Sequence, residues 1–522
     1  MKTLITIIFF IISNSVLFAQ LKTEAYFGMS NRMDYAEGLI EYYDGGYYFL
    51  GGYEYEKGWT IKTDINLEHL WDFTFEFPSV PVYVKGSVKD TAGNIYLCGS
   101  VDSWPFVAKM NSCGEKLWCK VLKYENEFNY GYSKDIIITS NNNIVILVKY
   151  DSEDEINVIH LISLYENGDV LWIKPYASKN DYPWIAEPNG YSLKEINNNY
   201  YISGKCYWPY PDDTTHWFLR PLFIGIDSLF NEKWILPFYP LDSIYGKAYK
   251  TIPLNDSIFM GVGIRRLAES KDHSLLMFYN KSGEEVGYRE ITNSQIGPNI
   301  NSNEIRDIQR INDTLFMTAS FFGLDNSENP AGEFVIDTAA NLYNFESRPN
   351  TYIPKLIKTS DNNYIIANSI DENKGDKDIY VYKIDENLND VPFDPTPHVY
   401  DSLCPGGIQS GNIDLSDCFV WTNIGDAPGP AEYYESIKQI PIKAYPNPVS
   451  DGSITFEFEN TEHHNNMELR CLDIYGKEIF STKVYRYQTE AVVDISKIKR
   501  GMYVAVIYSN GFPVGKCKFV VQ

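Results

Sequence analysis

The chain has 522 residues, enough for two or three domains, and its 44% hydrophobic and 15% aromatic content is that of a folded protein rather than a disordered one. Lys and Arg number 45 against 69 Asp and Glu, a formal net charge of −24. That balance argues against a DNA- or RNA-binding chain, which needs a basic footprint.

At the N-terminus Lys2 precedes an apolar run from Leu4 to Ile12, and Leu17-Phe18-Ala19 offers a small-residue cleavage site. This reads as a secretory signal peptide over residues 1–19, too short for a membrane anchor, with a mature chain beginning near Gln20. No later stretch approaches the length of a transmembrane segment.

From there a unit of roughly fifty residues recurs seven times. Its first mark is a turn followed by an apolar strand. Examples are Asp44-Gly45-Gly46-Tyr47-Tyr48-Phe49-Leu50, Asn142-Asn143-Ile144-Val145-Ile146 and Asn362-Asn363-Tyr364-Ile365-Ile366. Its second mark is another apolar strand, a polar turn and often a Trp, as from Ile61 to Trp71, Ala108 to Trp118, Ile162 to Trp172 and Ile224 to Trp234. The last three units lack the Trp.

Each unit holds about four short strands that cannot bury both faces alone, so neighbours must stack. Ring closure removes the exposed edges. The expected fold is therefore all-β, with a seven-bladed β-propeller over residues 20–395. The recurrent Trp residues are expected to pack between blades. The seventh unit ends in Val391-Pro392, poor strand material, whereas Thr23 to Gly28 looks like an outer strand without a unit. The N-terminal strand is expected to complete the seventh blade.

Asp44-Gly45-Gly46-Tyr47 and the run from Gly375 to Asp385 resemble a repeat common in secreted Bacteroidetes proteins. Those proteins pair such propellers with a C-terminal export domain.

Alternate hairpin loops of a blade share a face with the links between blades. Trp104 and Trp184 fall on such loops. An insertion in the fourth unit carries Tyr207, Trp208 and, after a polar turn, His216 and Trp217, and Arg265 and Arg266 begin the matching loop of the fifth. Together they outline a ligand-binding patch on one face, since aromatics stack on sugars and, with Arg, favour interfaces. The insertion could instead fold on itself around Trp208 and Trp217.

No HExxH, GxSxG or Walker pattern occurs, so no catalytic residue is assigned. No cofactor is expected beyond Ca²⁺, which Asp371, Asp376 and Asp378 could hold, although their loop lacks EF-hand spacing. No metal site is assigned.

The eight Cys would lie in an oxidising compartment. Proximity pairs Cys113 with Cys119, Cys404 with Cys418 and Cys471 with Cys517, leaving Cys98 and Cys206 as buried thiols. Residues 396–440 have the Pro- and Gly-rich composition of a linker.

The final segment, 441–522, alternates apolar residues in Ile454-Phe456-Phe458 and Met502-Val504-Val506, as in a half-buried strand. It contains Tyr445-Pro446-Asn447-Pro448, Asp473-Ile474-Tyr475-Gly476-Lys477 and Gly501-Met502-Tyr503-Val504, ending in a basic-apolar strand from Lys516. In order and spacing these resemble the type A sorting domain of the Bacteroidetes type IX secretion system. The resemblance implies a small immunoglobulin-like β-sandwich read by the secretion machinery, with Pro446, Asn447, Pro448, Gly476, Gly501 and Tyr503 in the signal. The route is then through the periplasm to the outer cell surface or beyond.

The function expected is a secreted or surface-displayed propeller that binds an extracellular glycan or protein. The alternative is a polysaccharide lyase or hydrolase, for which His216 with Arg265 or Arg266 is the combination of suitable groups.

Overall fold

The computed structural model describes residues 22–522 apart from 29–33, 54–56, 125–129, 152–157, 211–212, 241–242, 268–271, 298, 325–330, 349–350, 372–376, 422–423, 425–426, 431–439, 451, 460–466, 475–476, 486–487 and 510–511. The leader, Asp376 and Gly476 lie outside the described residues. No described helix is long and apolar enough to cross a membrane.

Seven antiparallel four-stranded sheets follow one another. Blade one is Tyr35–Glu41, Tyr47–Tyr53, Lys57–Thr63 and His69–Glu76. Blade two is Val82–Lys89, Ile95–Val101, Trp104–Met110 and Lys116–Leu122. Blade three is Tyr130–Ile138, Ile144–Asp151, Val158–Leu164 and Val170–Tyr176. Blades four, five and six begin with Ala186–Ile196, Ser243–Pro253 and Ile300–Arg310, and blade seven with Thr351–Lys358. The first strands of consecutive blades neighbour one another, and that of blade seven returns to that of blade one, which closes a ring.

The turn between the third and outer strands shows how the repeat encodes the blade. In six blades its first residue, Asp64, Asn111, Asp227, Asn280, Asp337 or Asp385, accepts backbone N–H bonds on its own side chain. Three residues later the backbone is left-handed in all seven, at Leu67, Gly114, Gly168, Phe230, Gly283, Ala340 and Leu388. Glycine fills three of these, and at Gly114 a Cβ would come within 2.4 Å of the Phe73 ring. A Cβ on Gly168 would come within 2.8 Å of the Trp118 ring, and one on Gly283 within 2.4 Å of Trp234.

The indoles of blades two, three and four thus lie on the turn of the next blade. Trp118 donates to the Glu166 carbonyl at 2.9 Å and Trp234 to that of Lys281 at 3.0 Å. Trp172, fully buried, packs on Phe230 with ring centroids 4.4 Å apart. The expected role of these Trp residues holds.

The ring closes through the N-terminal strand. Glu24–Phe27 pairs antiparallel with Lys377–Ile384, in the register Glu24 to Tyr382 and Phe27 to Ile379. Thr23 donates to the Val391 carbonyl and accepts from Lys383, and Tyr26 stacks on Tyr380. The seam between blades six and seven behind it holds a buried carboxyl. Glu333 accepts a bond from Tyr382, whose hydroxyl also accepts from Asn368 at 3.3 Å. Arg348 lies over the Tyr382 ring at 4.5 Å and pairs with Asp390. Burial pushes Glu333 up to about 7, against the Tyr382 bond and the Arg348 charge.

Residues 396–430 correct the linker expectation. Gly411–Asp414 adds a parallel strand to the outer edge of blade one, and Phe419–Trp421 does the same to blade two. The Ile173 amide of blade three donates to the Pro428 carbonyl. Trp71 donates to Asp401 at 2.9 Å, and Tyr400 lies over Lys62, which is buried in an ion pair with Asp44. Composition marks flexibility, but Ile413, Leu415, Cys418 and Ile424 are apolar and buried, which turns the segment into a strap.

The disulfides follow the strap. Cys113 joins Cys404 and Cys119 joins Cys418, with Cα separations of 5.2 and 4.8 Å, in place of the pairs expected from proximity in sequence. The segments run side by side in space, so each Cys meets the one on the facing strand. Cys471 and Cys517 are free because both pair with Ala505, on opposite sides of the strand between them. Two strand spacings exceed disulfide reach. Cys98 and Cys206 are buried thiols, as expected.

The C-terminal segment forms two facing sheets around one core. One sheet is Ile442–Tyr445, Ser453–Phe458 and Glu490–Asp494, and the other is Glu478–Val484, Met467–Asp473, Gly501–Ser509 and Phe512–Val521. Asn447, between Pro446 and Pro448, donates to the Lys518 carbonyl and accepts from the Val520 amide, which ties that turn to the last strand. The Tyr503 hydroxyl donates to the Lys499 carbonyl just before Gly501 opens its strand.

Removing residues 20–31 reopens the ring and is expected to lower the melting temperature by on the order of 10 °C; an unchanged melting curve would remove the closure role. Glu333 has a folded value above its ordinary 4.5, so its stabilising neutral form is lost as pH rises from there through about 7. Glu333→Gln should therefore stabilise the chain by on the order of 2–3 kcal/mol at pH 8 and have little effect at pH 4, read by denaturant melts at both. Non-reducing peptide mapping should recover 113–404 and 119–418 links. Cys404→Ser should cost roughly 3 kcal/mol, because with Cys119–Cys418 intact the loop it closes shrinks to about twenty residues.

Candidate binding face

Each innermost strand carries a β-bulge at the same place. The extra residue is Glu37, Lys85, Lys134, Tyr191, Tyr249 or Arg306 in blades one to six, while blade seven passes two residues, Ile353 and Pro354. A bulge re-aims its side chain away from the pleat. These six converge on the ring axis. Lys85 pairs with Glu37 at 2.7 Å, Lys134 lies 5.9 Å from the Tyr191 ring centroid, Tyr191 is 5.4 Å from Tyr249, and Arg306 lies 4.5 Å over Tyr249.

Two residues nearer the face, Tyr35, Tyr83 and Tyr132 form a partial collar. Lys85 reaches both Tyr35 and Tyr83, and Lys134 lies 4.6 Å from Tyr132. Behind the bulges come Asp135, Lys250, Asp307 and Lys355. Asp135 accepts the Leu193 amide of blade four, and Asp307 the Leu356 amide of blade seven from the equivalent position. Lys250 pairs with Asp307, and Arg306 with Glu304.

Positive charge is left over. Lys134, Lys194 and Lys355 have no carboxylate at ion-pair distance among the described residues. Burial, then Lys85, Lys355 and Lys149, pulls the Lys134 ammonium down to about 8 against the attraction of Glu37. Lys194 falls to about 8 by burial and the nearby Lys250 and Arg310, opposed by Asp307 and Asp135. Burial alone would push Glu37 up, but Lys85, Lys355 and Lys134 hold it below the usual carboxylate range.

The strand order puts the residues singled out from the sequence on the same face as this opening, but in different states. Trp184 and Trp217 are exposed, at 55% and 39%. Trp208 is half-buried against the core of blades three and four. Trp104 is half-buried under Lys123, 5.4 Å from its ring centroid. Tyr207 pairs with Leu219 in the insertion hairpin, on the opposite side of the sheet from Trp208 and the same side as Trp217.

The insertion does fold on itself, but around other residues than Trp208 and Trp217. Arg220 lies between the Phe218 and Tyr239 rings, at 4.6 and 4.8 Å, and Tyr210 packs on Phe218. Arg265 is buried and pairs with Glu290 at 3.3 Å, on the carboxylate oxygen that also meets His273. Arg266 makes a two-point pair with Asp272 at 2.6 and 2.9 Å and lies over Tyr245. His216 is exposed beside Thr215. A recess of about 860 Å³ opens between blades one and two and the strap, walled in part by Lys57, Glu76, Pro81, Tyr83 and Asn412.

Sequence reasoning missed the axial ring. A signal was present: Tyr35, Tyr83 and Tyr132 each stand two residues before a charged bulge residue and eleven before the end of the turn that marks the unit.

Residues 443–522 match the family model described as a secretion system C-terminal sorting domain. This export domain carries the chain to the cell surface or into the medium. No curated protein matches the chain. Among solved structures it is similar to Drosophila semaphorin 2a, at 10% identity over 96% of this chain and 98% of that one, with a TM-score of 0.44. It is similar to an ulvan lyase, a polysaccharide lyase, at 10% identity over 69% of this chain and 96% of that one, TM-score 0.44. A protein of unknown function from Bacteroides caccae shares 12% identity over 58% of this chain and 94% of that one, TM-score 0.34.

Proposed function

We propose that this exported propeller binds a glycan on the face where the axial tyrosines and the exposed tryptophans lie. The observation that carries the reading is the exposure of Trp184 and Trp217 on the face that also bears the Tyr35, Tyr83 and Tyr132 collar. Aromatic rings left in water on a folded surface are apolar platforms for sugar faces.

Binding is favoured over catalysis by the state of the candidate catalytic groups. Arg265 and Arg266 are each held by a carboxylate, which neutralises the charge a lyase would direct at its substrate.

The mature chain run through gels cast with a panel of neutral and acidic polysaccharides should be retarded by at least one. Trp217→Ala should weaken that retardation roughly tenfold, about 1.4 kcal/mol. Retardation by no polymer would refute the reading, and release of new reducing ends would replace it with an enzyme.

A further inference from the structure

The chain is acidic overall, yet its axis is crowded with cations. Lys85, Lys134 and Lys355 come from blades two, three and seven and act together on Glu37, which is engaged by Lys85, while Lys355 also faces the buried Asp135, which is held by the Leu193 amide. Two of the three ammoniums therefore lack an ion-pair partner among the described residues. Nothing in folding requires this arrangement, because buried like charges repel and pay for their own dehydration. The bulges are what aim Lys85 and Lys134 inward, and the Tyr83 and Tyr132 rings flank them toward the face.

We infer that Lys85, Lys134 and Lys355 form an axial site for an anionic group of an acidic polysaccharide, held beneath the tyrosine collar. This deepens the glycan reading and rests on it. The tyrosine rings supply contacts for the sugar ring and the ammoniums supply charge-assisted hydrogen bonds to its carboxylate or sulfate. A neutral polymer gains only the first. The low value of Lys134 gives the site a pH signature. The groups facing Lys134 are Lys85, Lys149 and Lys355, with Glu37 as the opposing charge and Tyr132 and Tyr191 as ring neighbours. An incoming anion favours its protonated form, so binding should weaken as pH rises through about 8.

The test uses the full mature chain with polygalacturonate, dextran sulfate and neutral dextran, in low and high salt and from pH 7 to 9.5. Lys134→Gln and Lys355→Gln serve as variants, with melting curves to confirm folding. Expected are retention on one or both acidic polymers, at least tenfold weakening in each variant, loss with salt, and a decline above pH 8 that Lys134→Gln flattens. Preference for polygalacturonate would identify a carboxylate, and preference for dextran sulfate a sulfate. Acidic binding unchanged in folded Lys134→Gln and Lys355→Gln overturns the site. Retention of dextran as strong as that of the acidic polymers overturns it while leaving glycan binding standing. Failure of every polymer removes both.

Discussion

Everything in this molecule depends on the closing of one ring. A single blade has two apolar faces, and only a neighbour on each side can cover them. Six blades obtain their outer strand from the chain that follows the third; the seventh takes Glu24–Phe27 from the other end of the propeller. That pairing fixes the first strand of blade one against that of blade seven, and so fixes the axis. The carboxyl of Glu333, sealed in the seam behind it, shows how little water reaches the junction.

Once the axis exists, the inner edges of seven sheets must meet around it, and the bulges decide what they bring. Six extra residues turned inward supply three cations, two tyrosines and a glutamate. Lys85 and Lys134 come from neighbouring blades, and closure of the ring brings Lys355 of blade seven to join them. Their crowding is a cost to folding, and the local potential it creates opposes that of an otherwise acidic surface.

The strap adds a second, covalent closure. It lays two parallel strands on the outer edges of blades one and two and bonds to blade three, shielding edges that would otherwise be open to another chain. Its disulfides join segments nearly three hundred residues apart, and both hold the strap to the outer hairpin of blade two. The Trp71–Asp401 bond explains why the first recurrent indole serves the strap rather than the next blade.

The amino-acid pattern by itself determined the architecture and the route. Turn residues, period-two strands and the recurrent Trp are local signals, and Asp64, Gly168 and Trp118 act within one turn or between adjacent blades. The N-terminal strand was legible because a strand with no unit and a unit with no strand imply each other. The export domain was legible because its motifs keep order and spacing within eighty residues. Tertiary structure alone decided what depends on distance between segments. Cys113 meets Cys404 because the strap runs beside its hairpin, a fact no spacing records. Arg265 and Arg266 looked free in the sequence, but Glu290 and Asp272 from neighbouring strands hold them. The axial lysines are far apart along the chain, and each is unremarkable there. They become a site only when closure brings seven inner strands to one axis, where Coulomb interaction depends on separation in space and not on separation along the chain.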